Sequence, residues 1–136
     1  MKPTYIGKRI STFTDCLEIT DNIRNKVQEH FGVILLDGSH QVIGRKILFK
    51  GGLNSTIVDP RIIFHYALKN LACAMIVYHN HPSGNPEPSE YDVDLTKKLI
   101  EAGKIGGVRL LDHLIVPKHN YNALFSFKSE FSSFFD

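Results

Sequence analysis

Residues 78–92 read YHNHPSGNPEPSEYD. They follow a continuous apolar run from Ala72 to Tyr78, whose length and composition fit a central buried strand. Side chains two apart on a strand share a face, so His79 and His81 converge at its C-terminal end while Asn80 points away. Pro82, Gly84, Pro86 and Pro88 stiffen and turn the chain that follows. Ser89 then reads as the cap of a helix running to Ala102, with Gly103 as its stop. This reading puts Asp92 in the first helical turn, folded back over the strand end.

Two imidazoles and one carboxylate are the protein ligands of a catalytic zinc site with its fourth tetrahedral position open. A water in that position has its pKa lowered toward about 7, and a carboxylate is needed to carry its proton to a leaving group. By spacing alone, Glu87 and Glu90 are the nearest carboxylates. Each residue also has an ordinary explanation. Two histidines at a strand end are often only polar edge residues. Ser89-x-x-Asp92 is a variant N-capping box, and Asp92 suits a helix N-terminus by charge. Taken together, the dense pattern favours a metal site of His79, His81 and Asp92.

The rest of the chain reads outward from this point as alternating helices and strands. Residues 1–15 are expected to be an N-terminal arm, mobile or loosely docked over 1–12, and residues 16–136 a single domain. Ile19, Ile23 and Val27 recur at helical spacing behind Thr20 and Asp21, which predicts a helix from Thr20 to about Glu29–His30. Phe31–Leu36 is an apolar strand, Asp37–His40 a turn, and Gln41–Phe49 the return strand of a hairpin. Gly51-Gly52 marks a bulge or turn, and Thr56–Val58 a further short strand. Pro60 starts a helix over 61–71 with Ile62, Ile63, Tyr66, Ala67 and Leu71 toward the core. Val108–Val116 is a late strand ended by Pro117. The aromatic tail from Phe125 is expected to dock as a helix or strand; left exposed, it is a self-association surface for a homodimer. The whole is a sheet flanked by helices in one layered α/β domain.

Composition sets the limits. The 136 residues, 43% hydrophobic and 22% charged, suffice for one core without disulfide staples. A net charge of +2 with scattered basic residues does not by itself point to nucleic acid. Cys16 and Cys73 lack metal or redox spacing, Cys73 is expected to pack as a small hydrophobe, and a reducing cytoplasm fits. No apolar run reaches membrane-spanning length, and no signal segment is expected.

His79-x-His81-Pro82, the seven residues Pro82–Pro88 and Ser89-x-x-Asp92 match the spacing H-x-H-x7-S-x-x-D of the JAMM (MPN+) metalloproteases. The fuller string HNHPSGNPEPSEYD resembles the bacterial RadC branch of that family. Gln28–Phe31, Val58–Arg61 and Leu111–Ile115 agree with it, and the resemblance covers about residues 20–128. It implies a three-layer α/β/α, cytidine-deaminase-like (JAB/MPN) domain with a central mixed sheet. It implies zinc on His79, His81 and Asp92, Glu29 as the general base, and Ser89 as an oxyanion-stabilising group in amide cleavage. Spacing would not have selected Glu29. His113 is read either as orienting a ligand or water, or as a satisfied histidine on the sheet face, with the second favoured.

The leading expectation is a zinc metallopeptidase or isopeptidase acting on a protein or peptide. The second is a DNA-repair or mobile-element protein that binds DNA, with the metal site as a nuclease. Relatives of this branch typically carry a helix-hairpin-helix segment linked to DNA binding, which these residues are not expected to contain. The third is a non-catalytic scaffold, disfavoured because the ligand set is complete.

Overall fold

The computed structural model describes residues 3–51, 57–118 and 123–136. Five strands form one mixed sheet in the order β2-β1-β3-β4-β5. These are β1 (His30–Leu36), β2 (Val42–Lys50), β3 (Ala74–Asn80), β4 (Arg109–Val116) and β5 (Phe125–Ser126). Only β3 and β4 run parallel. Their connection carries the long helix α2 (Glu90–Gly106), as a parallel crossover requires. Every residue of β1 and β3 is buried, which is why both read as unbroken apolar runs rather than alternating ones.

The pleat splits the core in two. Phe31, Val33, Leu35, Met75 and Val77 pack with Ile63 and Ala67 of α1 (Pro60–Lys69) and with Leu95 and Leu99 of α2. Ile34, Leu36, Ala74, Ile76 and Tyr78 face the opposite way, onto Ile10, Cys16, Ile19 and Ile23. His79 belongs to the first face and Asn80 to the second, as the period of two dictates.

The second face departs from the helix expected over 20–29. The chain there makes two short 3-10 turns, Phe13–Cys16 and Asp21–Ile23, and Val27 is exposed. Asp21, Asn22 and Asn25 are weak helix formers. The carbonyls of Lys26 and Gln28 are taken by the Asn80 side chain, which holds this stretch out of a helix. Ahead of it, the chain from Gly7 to Ile10 is hydrogen-bonded along the start of β2, with Gly7 N–H to Val42 O and Val42 N–H to Lys8 O both at 2.8 Å.

α1 begins as expected, with Pro60 in the first turn and Asp59 accepting the Arg61 N–H. Ile62 and Leu71, expected in the core, are exposed; Leu71 has left the helix in a left-handed conformation (φ 53°). Gly103 is not the stop of α2. A Cβ there would lie 2.3 Å from the Val108 carbonyl oxygen, so glycine admits the returning chain, and the left-handed cap is Gly107 (φ 79°). Cys73 is exposed and Cys16 buried, the reverse of the expected packing for Cys73, and both are free. Thr56 and Gly52 lie outside the described residues, and Ile57–Val58 is not a strand.

The tail folds as β5, α3 (Phe127–Glu130) and a 3-10 turn, Ser132–Phe135. Phe127 is buried; Phe125 meets it edge-on, Phe131 lies tilted against it, and Phe134 stacks on Phe131. Among the described residues no helix is long and apolar enough to cross a membrane.

Candidate metal centre

Three predicted ligands meet at the C-terminal end of β3. One ligand atom from each of His79, His81 and Asp92 lies within 4.8 Å of the others. The Nε2 atoms of the two rings are 2.9 Å apart. Asp92 straddles them, with Oδ1 3.3 Å from His79 Nε2 and Oδ2 3.1 Å from His81 Nε2.

Local structure fixes each side chain. His81 Nδ1 lies 2.7 Å from the Asn85 carbonyl, so it donates there and leaves Nε2 bare in the neutral ring. Gly84 makes this possible: its positive φ of 86° turns the loop so that its N–H closes on the His81 carbonyl and the next carbonyl faces the ring. Asp92 is held by a reciprocal capping box. Ser89 N–H donates to Asp92 Oδ2 at 2.9 Å, and Asp92 N–H donates to Ser89 Oγ at 3.1 Å. The capping reading of Ser89 and Asp92 and the ligand reading of Asp92 therefore describe one arrangement. Phe31, directly opposite His79 in the sheet, lies parallel to its ring at 6.1 Å.

Glu29 arrives by register. β1 and β3 are antiparallel with Phe31 opposite His79. The pairing ends there, but the same direction of travel carries the chain two residues on to Glu29, whose carboxyl feels the charges of His79, His81 and Asp92. The Glu29 carbonyl accepts the Gly51 N–H at 2.8 Å, closing the β1–β2 end. Its side chain is buried. Asn80 supplies the remaining hold: its Oδ1 accepts the His30 N–H, and its Nδ2 donates to the carbonyls of Gln28 and Lys26. The HxH spacing turns Asn80 away from the ligands and gives no signal of what lies on that other face.

The charges respond to this crowding. Burial pushes the Glu29 carboxyl above the usual range, with the two histidines pulling it back. Burial also works on Asp92, but the hydrogen bonds and charge of the histidines and the Ser89 N–H outweigh it and hold the carboxyl well below its ordinary range. For His81, burial disfavours the charged ring, yet Asp92, the Asn85 carbonyl and Glu29 together raise its pKa. The shifts of Asp92 and His81 are two sides of one contact, since a carboxylate beside a ring nitrogen favours a positive charge between them, whereas the rise at Glu29 is the work of burial. Two imidazole nitrogens and a carboxylate suit zinc by ligand chemistry, and the donor set fits that ion.

Behind His79 stands His113, with Nε2 2.8 Å from His79 Nδ1. It is fully buried, which holds its pKa well below the usual range. A separate cleft of about 360 Å³ opens on the other face of the sheet, lined by Ile10, Phe13, Ile76, Asp112 and Ser126 among others. Its carboxylate is already satisfied by Ser126 Oγ and by the N–H groups of His113 and Lys128, so Asp112 acts there as an internal anchor.

Comparison with known proteins agrees with this geometry. The family model of the RadC-like JAB domain matches residues 10–132. A UPF0758 protein of Listeria welshimeri is 44% identical over 136 residues, an overlap of 91% of this chain and 61% of that protein. A UPF0758 protein of a Geobacillus species is 47% identical over 106 residues, 78% of this chain and 47% of its own. One from Bacillus cereus is 43% identical over 111 residues, 81% and 49%. The chain thus spans about three-fifths or less of the length of these curated relatives. From the match over most of its length, the chain belongs to the RadC-like JAB domain family.

Proposed function

We propose that the chain is a zinc-dependent hydrolase of amide bonds, a peptidase or isopeptidase acting on a protein or peptide. The observation that carries this reading is the convergence of His79, His81 and Asp92 beside the buried Glu29. A zinc ion held by these residues would supply Lewis acidity, making a bound water acidic enough to lose a proton near neutral pH.

Glu29 is the proposed carrier of that proton. Its carboxylate, held at the end of β1, accepts from the water and delivers to the leaving nitrogen, and its raised pKa suits a group that must both take and release a proton. Ser89 Oγ uses a lone pair to accept the Asp92 N–H, which leaves its hydroxyl proton for the oxygen of a substrate carbonyl as negative charge develops there. Ser89 is exposed. The two free cysteines fit a reducing cytoplasm.

The test is Glu29→Gln, assayed on a panel of quenched-fluorescent linear and isopeptide-branched peptides. The variant is expected to bind zinc as the parent does and to lose hydrolysis by at least about a hundredfold. Hydrolysis at the parental rate in Glu29→Gln contradicts the assignment.

A further inference from the structure

Behind the metal centre runs a chain of hydrogen bonds whose directions are dictated by chemistry. It starts on α2, where Thr96 Oγ1 lies 2.7 Å from the Asp92 carbonyl oxygen. A carbonyl cannot donate, so the hydroxyl gives its one proton to this bond. The same Oγ1 lies 2.6 Å from His113 Nδ1. Its proton already used, the hydroxyl accepts, and His113 carries a proton on Nδ1. Among the described residues the ring nitrogens of His113 meet only Thr96 and His79. A ring this buried with no carboxylate on it is neutral, so its Nε2 is a lone pair. His79 Nδ1, 2.8 Å away, therefore donates to it. This leaves His79 Nε2 bare, and that is the atom aimed at His81 and Asp92.

We propose that Thr96 and His113 are positioning residues for metal binding, holding His79 in the tautomer whose free lone pair faces the site. The inference rests on the metal-site reading above. Thr96, His113 and His79 are at most 1% exposed, so water does not compete for any of these bonds. The relay also links two ligands from different elements, because Thr96 hangs from the carbonyl of Asp92 itself.

The sheet contains a feature that brings His113 here. Along β3 and β4 the pairing runs Met75 with Leu110 and then Ile76 with Asp112, skipping Leu111. In an unbroken register His113 would stand opposite Tyr78, on the face turned toward the N-terminal segment. The irregularity sets it opposite Val77 instead, on the face of His79. Asp112 Oδ1 takes the His113 N–H at 2.8 Å, and Phe127 stacks on the ring at 4.7 Å, so the re-aimed side chain is held from two sides.

The test combines tautomer and affinity. Long-range nitrogen–proton NMR on the metal-free parent, at mildly alkaline pH, is expected to show both His79 and His113 protonated on Nδ1. In Thr96→Val the hydroxyl is gone, His113 is free to carry its proton on Nε2, and His79 then carries its own on the atom that must bind metal. Zinc affinity, read by competition with a chromophoric chelator, is expected to fall about 10- to 100-fold, and Thr96→Ser is expected to recover most of it. His79 protonated on Nε2 in the parent overturns the inference, as does a folded Thr96→Val that binds zinc as tightly as the parent. The parent's tautomers are read without metal and without substitution. They decide the tautomer relay even if Thr96→Val does not fold, while a parent that takes up no zinc counts against the metal-site reading on which the inference rests.

Discussion

The Asn80 side chain accepts the His30 N–H at 2.6 Å, across a sequence separation of 50 residues. Asn80 stands between the two histidines of the metal centre, and His30 directly follows Glu29. The residue between the two ligands thus anchors the segment that carries the proposed base. Its amide nitrogen completes the grip, donating to Gln28 O at 3.1 Å and Lys26 O at 3.3 Å.

Replacing Asn80 by Ala removes all of these bonds and leaves the buried His30 N–H without its acceptor. An unsatisfied buried donor costs about 1–3 kcal/mol. Chemical denaturation of Asn80→Ala is expected to show a loss in that range. Hydrolysis is expected to fall more steeply than zinc affinity, since the ligands stay on β3 and α2 while Glu29 is released. Unchanged stability would show that the grip is not made.

Gly103 should invert a familiar rule. Alanine in place of glycine inside a helix ordinarily stabilises by about 0.5–1 kcal/mol. Here the added Cβ meets the Val108 carbonyl oxygen at 2.3 Å, a backbone atom at the start of β4. Gly103→Ala is expected to destabilise by about 1–3 kcal/mol, the usual cost of overpacking. Thermal unfolding gives the sign directly, and a raised midpoint would refute the close approach.

The two cysteines should differ in reactivity. Burial pushes the Cys16 thiol up to about 12, with Asp112 and Asp15 adding to the effect. Cys73 is exposed. A thiol reagent at pH 8 is expected to modify Cys73 quickly and Cys16 only on unfolding, as peptide mapping would reveal. The linkage sign follows: a folded pKa above the unfolded value of about 8.5 means stability is lost as pH rises from there toward 12. Cys16→Ala should show a shallower loss over that window than the parent.

Metal removal should cost stability, because the ion binds the assembled site and not the unfolded chain. At free zinc a hundredfold above its dissociation constant, the gain is about 2.7 kcal/mol. A chelator is expected to lower the melting temperature of the parent by several degrees and leave that of His81→Ala unchanged. Equal shifts in both would place the stabilising ion elsewhere.

Much of this was legible in the sequence, and the remainder has physical reasons. β1 and β3 declared themselves because both faces of each are buried, which leaves an unbroken apolar run. His79, His81 and Asp92 sit on one strand end and the next helix, so their meeting follows from local periodicity and a stiff loop. Glu29 does not, because it reaches the site through the antiparallel pairing of β1 with β3, which local periodicity cannot reveal. His113 is harder still, since a regular strand would put it on the wrong face and only the skipped Leu111 corrects it. The expected helix over 20–29 failed because Ile19 and Ile23 have the right spacing for a helix but equally suit two short turns pressed on the sheet. Gly103 was mistaken for a helix stop because a glycine that makes room for a neighbouring chain looks the same in sequence as one that ends a helix.

The most direct measurement is the metal content of the protein purified without an affinity histidine tag, by elemental mass spectrometry. The account predicts about one zinc per chain, lost in His81→Ala and retained in Glu29→Gln. Protein that carries no metal and takes none up from added zinc would contradict the assembly of His79, His81 and Asp92 into a metal site.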